Sequence, residues 1–242
     1  MKKVFSIIVF LSLLIYTSCI DVVEEILLNK DGSGRYSCTM DMSAIFSKEN
    51  RTMLEAISQG GDSEIPDLST LDMEMDSTIV MSDLMKSEGI KLEDPELWDR
   101  VFVSTQMSSS EEKYMVTLMI DFEDIEELNY VFEQLSMQEN AVATEESPIP
   151  LSMFTNNTRF QLKGKTLTKT DANQAENIDE ESMAMMIMFL SNASYKMQYT
   201  MPKKIKKTDF ENANVEGKTM HVEYPLLDIM NGEVNTSGLI KF

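Results

Sequence analysis

The chain is short of the residues that most enzymes and metal proteins rely on. Among 242 residues there is a single histidine, His221, two cysteines, Cys19 and Cys38, and one tryptophan. One histidine and two thiols cannot furnish a four-ligand zinc site of the usual kind. Basic residues are scarce as well: 21 Lys plus Arg face 41 Asp plus Glu, a net charge of −20. Such a chain as a whole repels nucleic acid, so a DNA- or RNA-binding role is not expected. No Gly-x-Ser-x-Gly elbow points to a hydrolase. The longest nearly unbroken apolar run, Val4 to Tyr16, has 13 residues. That falls well short of the ~20 a bilayer-crossing helix requires.

That run is the most informative stretch. Lys2 and Lys3 precede it, and the small residues Thr17 and Ser18 separate it from Cys19. A basic start, an apolar middle and small residues before a cut describe a signal peptide. Ordinary signal peptidase wants small residues at −1 and −3, and Tyr16 fits badly at −3 of a cut before Cys19. Lipoprotein processing wants small residues at −1 and −2 followed by the cysteine, which is the arrangement present. The segment resembles a bacterial lipobox, with Tyr16 standing where Leu is usual. Residues 1–18 are therefore expected to be a lipoprotein signal peptide and Cys19 the acylated N-terminus. Each buried methylene contributes roughly 0.8 kcal/mol, and a cysteine carrying two or three acyl chains is stably anchored. Loss of Lys2 and Lys3 takes the net charge from −20 to −22. With Cys19 acylated, Cys38 has no partner within the chain, and no disulfide framework can form. Tyr36, Cys38 and Met40 alternate with polar residues, so Cys38 is expected to face a core as a small hydrophobe.

The mature chain, 19–242, reads as a single α+β domain, with 138–150 as the place where it would divide. Val22–Asn29 and Arg35–Asp41 form strands around an Asp31-Gly32-Ser33-Gly34 turn. Ser43 is positioned to cap a helix reaching about Gln59. A strand at Met73–Met81, a short helix at Asp83–Ser87 and a hairpin of Val101–Met107 with Tyr114–Asp121 follow. Ile125, Leu128, Val131, Phe132 and Leu135 make one face of a helix over 124–135. A third hairpin pairs Arg159–Leu162 with Thr166–Thr170, and an apolar helix covers Ser182–Leu190. Strands at Ser194–Met201, Thr219–Tyr224 and Gly238–Phe242 complete the order. Hairpins followed by helices predict an antiparallel sheet with helices packed on one face.

Several constellations invite chemistry and fall short of it. His221 and Glu223 share a strand face, as a base and its orienting carboxylate would, but so many carboxylates make such a neighbour commonplace. Asp72, Glu74, Asp76, Thr78 and Asp83 imitate the spacing of a calcium loop, yet Ser77 replaces its glycine and Asp83 its long bidentate Glu. The 21 methionines include close pairs such as Met40 and Met42, Met73 and Met75, and Met183 and Met185, and thioethers bind Cu(I). Methionine is equally a flexible core filler, and copper sites of this kind usually add histidine. Lys203, Lys204, Lys206 and Lys207 form the one basic cluster, suited to phosphate headgroups or to guarding a strand edge after Pro202.

Three stretches carry a family likeness. They are Glu24-Glu25-Ile26 with Asp31-Gly32-Ser33-Gly34 and Thr39 to Ser43, then Ile120 to Asn129, and finally Tyr199 to Ile205 with Glu216 to Thr219 and Tyr224-Pro225-Leu226. Together they make the chain similar to a group of bacterial envelope lipoproteins and, more distantly, to the LppM-like lipoprotein domain. The likeness implies location and fold, and it involves no catalytic motif. Asp21, Glu24 and Glu25 are similar to outer-surface sorting signals that follow the lipidated cysteine in some bacteria. The expectation is a non-enzymatic envelope lipoprotein without a cofactor, held at a membrane, the outer one for preference, through Cys19. Its partners would be the membrane and other envelope proteins, and it would bind no nucleic acid. The alternative is a carrier of a hydrophobic ligand or copper in a Met-lined cavity. Because only Ile20 and Asp21 separate Cys19 from the first strand, the first hairpin is expected against the headgroups.

Overall fold

The structure, a computed structural model, describes residues 20–47, 74–87, 89–90, 94–142, 158–171 and 190–242. Cys19, most of the helix expected after Ser43 and all but Leu190 of the helix expected over 182–190 lie outside the described residues.

Alternation of apolar and polar residues sets the first two strands, β1 (Asp21–Leu28) and β2 (Gly34–Asp41). They pair antiparallel from Asp21 opposite Asp41 to Leu28 opposite Gly34. Val22, Glu24, Ile26, Leu28, Tyr36, Cys38 and Met40 are buried, and the residues that alternate with them face outward. The turn is closed by Asp31, whose carboxylate accepts the Ser33 N–H at 3.2 Å and its hydroxyl at 2.8 Å. Gly34 is required for contact: a Cβ there would lie 2.3 Å from the Leu27 carbonyl oxygen and 2.6 Å from the Phe122 ring.

A 3-10 turn over Ser43–Phe46 follows. Ser43 is not a helix cap, contrary to expectation. Its N–H donates to Asp41 at 2.9 Å and its hydroxyl oxygen accepts the Tyr114 N–H at 3.0 Å, so it ties two strands together. Next come β3 (Glu74–Val80), α1 (Met81–Ser87) and α2 (Pro95–Trp98). The second hairpin, β4 (Val101–Ser108) and β5 (Lys113–Phe122), forms as expected; β5 alternates throughout, whereas β4 is buried only towards its ends. Asp124 then accepts the Glu127 N–H at 2.8 Å while Glu127 accepts the Glu123 N–H at 2.6 Å. This reciprocal capping starts α3 (Ile125–Val142), which runs on into the 138–150 stretch. The expected inward residues Ile125, Leu128, Val131, Phe132 and Leu135 are all buried.

The remaining elements are β6 (Thr158–Lys163), β7 (Thr166–Asp171), β8 (Ser194–Thr200), β9 (Lys207–Thr208), β10 (Asn214–Glu216), β11 (Thr219–Pro225), α4 (Leu226–Met230) and β12 (Gly238–Lys241). They form two sheets with the earlier strands, one of eight strands in the order β10-β11-β8-β1-β2-β5-β4-β3 and one of four in the order β6-β7-β12-β9. The fold is α+β with largely antiparallel sheets. Two features were not legible beforehand. β1 pairs with β8 in parallel, Asp21 opposite Ser194 and Leu27 opposite Thr200. The third hairpin builds a second sheet with β12 instead of extending the first.

The core lies on one face of the large sheet. Tyr36 packs edge-on to Phe132 of α3 at 4.9 Å between ring centroids, and Phe160 of β6 packs edge-on to Tyr199 of β8 at 6.2 Å. Thus α3 and the small sheet share the buried face. The opposite face is less buried and mixed, carrying Leu27 and Met119 beside polar pairs such as Thr39 and Thr117, 3.0 Å apart, and Thr200 and Thr219, 3.1 Å apart. This is the one-sided burial that antiparallel sheets commonly show.

Candidate functional site

The described chain enters at Ile20, whose carbonyl accepts the Ser194 N–H at 3.1 Å, and β1 begins one residue later. Ile20, the residue that follows the expected lipidation site in the sequence, therefore leads directly into the central part of the large sheet. The three acids after it all have hydrogen-bond partners within the fold. Asp21 accepts from the Ser194 hydroxyl at 2.6 Å and Lys196 at 2.9 Å, and Glu25 accepts from Gln198 at 2.9 Å and Ser37 at 3.3 Å. Glu24 is 2 % exposed. Sharing the phase of Val22 and Ile26, it points into the core, so it cannot be read from outside as a sorting acid.

Glu24 is the centre of a polar cluster between the two sheets. Lys169 of β7 places its ammonium 3.0 Å from Glu24 Oε2, 3.1 Å from Asp171 Oδ2 and 2.9 Å from the Tyr195 hydroxyl. Tyr195 and Tyr199 both donate their hydroxyls to Glu24. Asp171 accepts from Thr158 at 2.6 Å and also from Thr236. Every charged oxygen and ammonium here is supplied with partners, as burial demands. Burial alone would push the Lys169 ammonium down; Glu24 and Asp171 outweigh it, and the net shift is upward. Burial, then Glu24, raises Tyr195 and Tyr199 well above the ordinary phenol value.

The cluster links β1 and β8 of the large sheet to β7 of the small one. Its two principal side chains are only 1 % and 3 % exposed. This geometry clamps the sheets together in one register and offers no face to a substrate. The signal for it was present in the sequence: Lys169 alternates in phase with Leu167, and Glu24 with Val22 and Ile26.

The other candidates fall elsewhere. His221 stands on β11 opposite Asn214 and Gln198, while Glu223 stands opposite Lys196 and lies 3.8 Å from its ammonium. Among the described residues no hydrogen bond joins His221 to Glu223. Glu74, Asp76 and Thr78 lie on β3, extended along β4, and Glu74 accepts from Ser108 at 3.0 Å and Ser110 at 2.9 Å. Asp72 lies outside the described residues. Among those described, no group of three His, Cys, Asp or Glu side chains could hold a metal ion. Cys38 is buried and free, and burial pushes its thiol up to about 12, with Glu24 adding to the effect. Met40, Met197, Met201 and Met220 are at most 4 % exposed. Sulfur of Met197 accepts from Lys169 at 3.6 Å and lies 3.5 Å from the Tyr199 hydroxyl oxygen, and that of Met220 accepts from Thr208 at 3.4 Å.

Neither a family model nor a curated protein matches the chain. Among solved structures it is similar to the NMR structure of the LppM folded domain of Mycobacterium tuberculosis. The likeness covers 92 % of this chain and 88 % of that one, at 10 % identity and a TM-score of 0.45. It is a distant likeness of fold.

Lys203, Lys204, Lys206 and Lys207 are all exposed around the buried Ile205. Lys207 lies on β9, the outer strand of the small sheet, so the edge-guarding role foreseen for it agrees with its position.

Proposed function

We propose that this protein is a lipid-anchored lipoprotein of the bacterial cell envelope, acting as a non-enzymatic binding or structural module. The observation that carries the reading is the junction at residue 20. A cysteine in a lipobox-like setting is followed, after Ile20 alone, by the first strand of the large sheet. Acylation at Cys19 would thus hold the folded body directly at a bilayer, with no tether to let it wander. The buried Lys169–Glu24 cluster supports the non-enzymatic part, since the densest group of ionisable side chains serves to join two sheets.

The carrier of a hydrophobic ligand or copper is the weaker reading. Its best thioethers, Met197 and Met220, already accept hydrogen bonds in the packed interior.

Radiolabelled palmitate tests the proposal. The wild type is expected to take up label and fractionate with membranes, and Cys19→Ala is expected to lose both. A wild type that takes up no label, or a Cys19→Ala variant that keeps it, overturns the reading.

A further inference from the structure

Exposed lysines converge at the end of the molecule opposite residue 21. Because β1 and β8 run parallel, their C-terminal residues Leu28 and Thr200 lie at that same end. Four backbone hydrogen bonds then gather the segments beyond them. Met201 N–H donates to Lys218 O at 2.9 Å, Ile205 N–H to Gly217 O at 2.9 Å, Lys206 N–H to Lys241 O at 2.7 Å, and Phe242 N–H to Lys165 O at 3.0 Å. Residues 201–207 contribute Lys203, Lys204, Lys206 and Lys207. The turn before β11 adds Lys218, β12 adds Lys241, the end of β6 adds Lys163 and the β6–β7 turn adds Lys165. All eight are exposed. Among the described residues none of them forms an ion pair.

The placement goes beyond guarding an edge. Only Lys207 and Lys163 sit on outer strands of the small sheet, whereas Lys218 and the β6–β7 turn are elsewhere. Lys207 and Lys241 are direct cross-strand partners, a like-charge placement that works against the pair and that a bound anion would relieve. The nearby acids Asp209, Glu216 and Asp31 keep their charges, but among the described residues none of them pairs with these lysines and their partners are neutral donors. Asp209 accepts the Leu239 N–H at 2.6 Å, Glu216 accepts from Asn214 at 3.2 Å, and Asp31 accepts from Ser33. The net charge of −20 does not cancel this pole. Charges at the far end of β1 are about 23 Å away by strand geometry, against a screening length of about 8 Å at physiological salt.

We propose that this lysine pole binds a multivalent phosphate ligand, a polymer or glycan carrying several phosphate groups. Free polymer is favoured over the headgroups of the anchoring bilayer because the chain arrives from Cys19 at the opposite end. That choice of source rests on the anchoring proposed above; the phosphate recognition does not.

The test uses the detergent-solubilised full-length protein and short-chain linear polyphosphate, with binding followed by titration calorimetry. Saturable binding is expected, weakening at least about tenfold when salt rises from ~50 to ~200 mM. The paired reversals Lys203→Glu with Lys204→Glu, and Lys165→Glu with Lys241→Glu, are each expected to weaken it by about tenfold or more. Lys86→Glu and Lys113→Glu, remote from the pole, are expected to leave it unchanged. Polyphosphate affinity indifferent to the pole reversals overturns the proposal. So does binding to phosphatidylglycerol vesicles with none to polyphosphate, which would assign the pole to a lipid surface. Palmitate labelling reads the anchor independently, so the two proposals fail separately.

Discussion

The Lys169 ammonium lies 3.0 Å from the Glu24 carboxylate across 145 positions of sequence, and it makes the chief polar connection between the two sheets. Removing one partner of such a pair leaves a buried charge uncompensated, at a cost of about 3–5 kcal/mol. Lys169→Met strands both Glu24 and Asp171 and should lose stability on that scale in urea titrations. Adding Glu24→Gln removes one stranded charge, so the double variant should lose clearly less than the two single losses combined. Strict additivity would mean the two groups do not interact.

The same cluster sets an alkaline limit. Burial first, then Glu24, raises Cys38 from 9.0 to about 12 and raises Tyr195 and Tyr199 from 10.0. Lys169 is also raised from 10.5, because Glu24 and Asp171 outweigh its burial. In each case the folded protein holds the proton more tightly than the unfolded chain does. The associated stability is therefore fully present below the unfolded values and is lost as pH climbs from them through the folded ones. The melting temperature should hold level up to about pH 9 and fall between about 9 and 12. A flat profile across that window would show that these groups are not buried. The Cys38 thiol should likewise resist a thiol reagent at neutral pH until the protein is unfolded.

Much of this fold was legible in the sequence because alternation and helical periodicity are local. The three hairpins and the inward face of α3 follow from spacing alone. The parallel pairing of β1 with β8 does not, since periodicity says which face a strand buries and nothing about its neighbour. Short elements such as β9, β10 and α4 carry too few residues for any period to register. Glu24 is the instructive case. Its charge and its closeness to Cys19 suggested an exposed signal, while its phase with Val22 and Ile26 marked it as inward-facing. A charged residue in phase with a buried face calls for an opposite charge elsewhere in phase with another, and Lys169 beside Leu167 is that residue.

Gly34 tests the hairpin that carries Glu24's partner strand. An alanine Cβ would meet the Leu27 carbonyl and the Phe122 ring at distances no real Cβ adopts. Gly34→Ala should therefore cost about 1–3 kcal/mol as overpacking. Gly164→Ala meets nothing within 4 Å, and only its φ of +62° opposes the change, so about 1 kcal/mol is expected. Equal losses in chemical denaturation would mean that the Gly34 contact is not a constraint.

The first hairpin is expected against the headgroups, and an upright β1 would bring only its first residues close to them. Val23 lies two residues from Asp21, about 7 Å along the strand, whereas Arg35 pairs with Leu27 at about 20 Å. With the chain fixed through Cys19 and Ile20, spin labels at these positions should report a gradient. Val23→Cys should be relaxed strongly by a paramagnetic lipid headgroup, and Arg35→Cys weakly. Equal relaxation at both sites would lay the strand flat on the bilayer and turn the lysine pole back toward the headgroups. Neither site relaxed would detach the domain from the membrane and take the anchoring proposal with it.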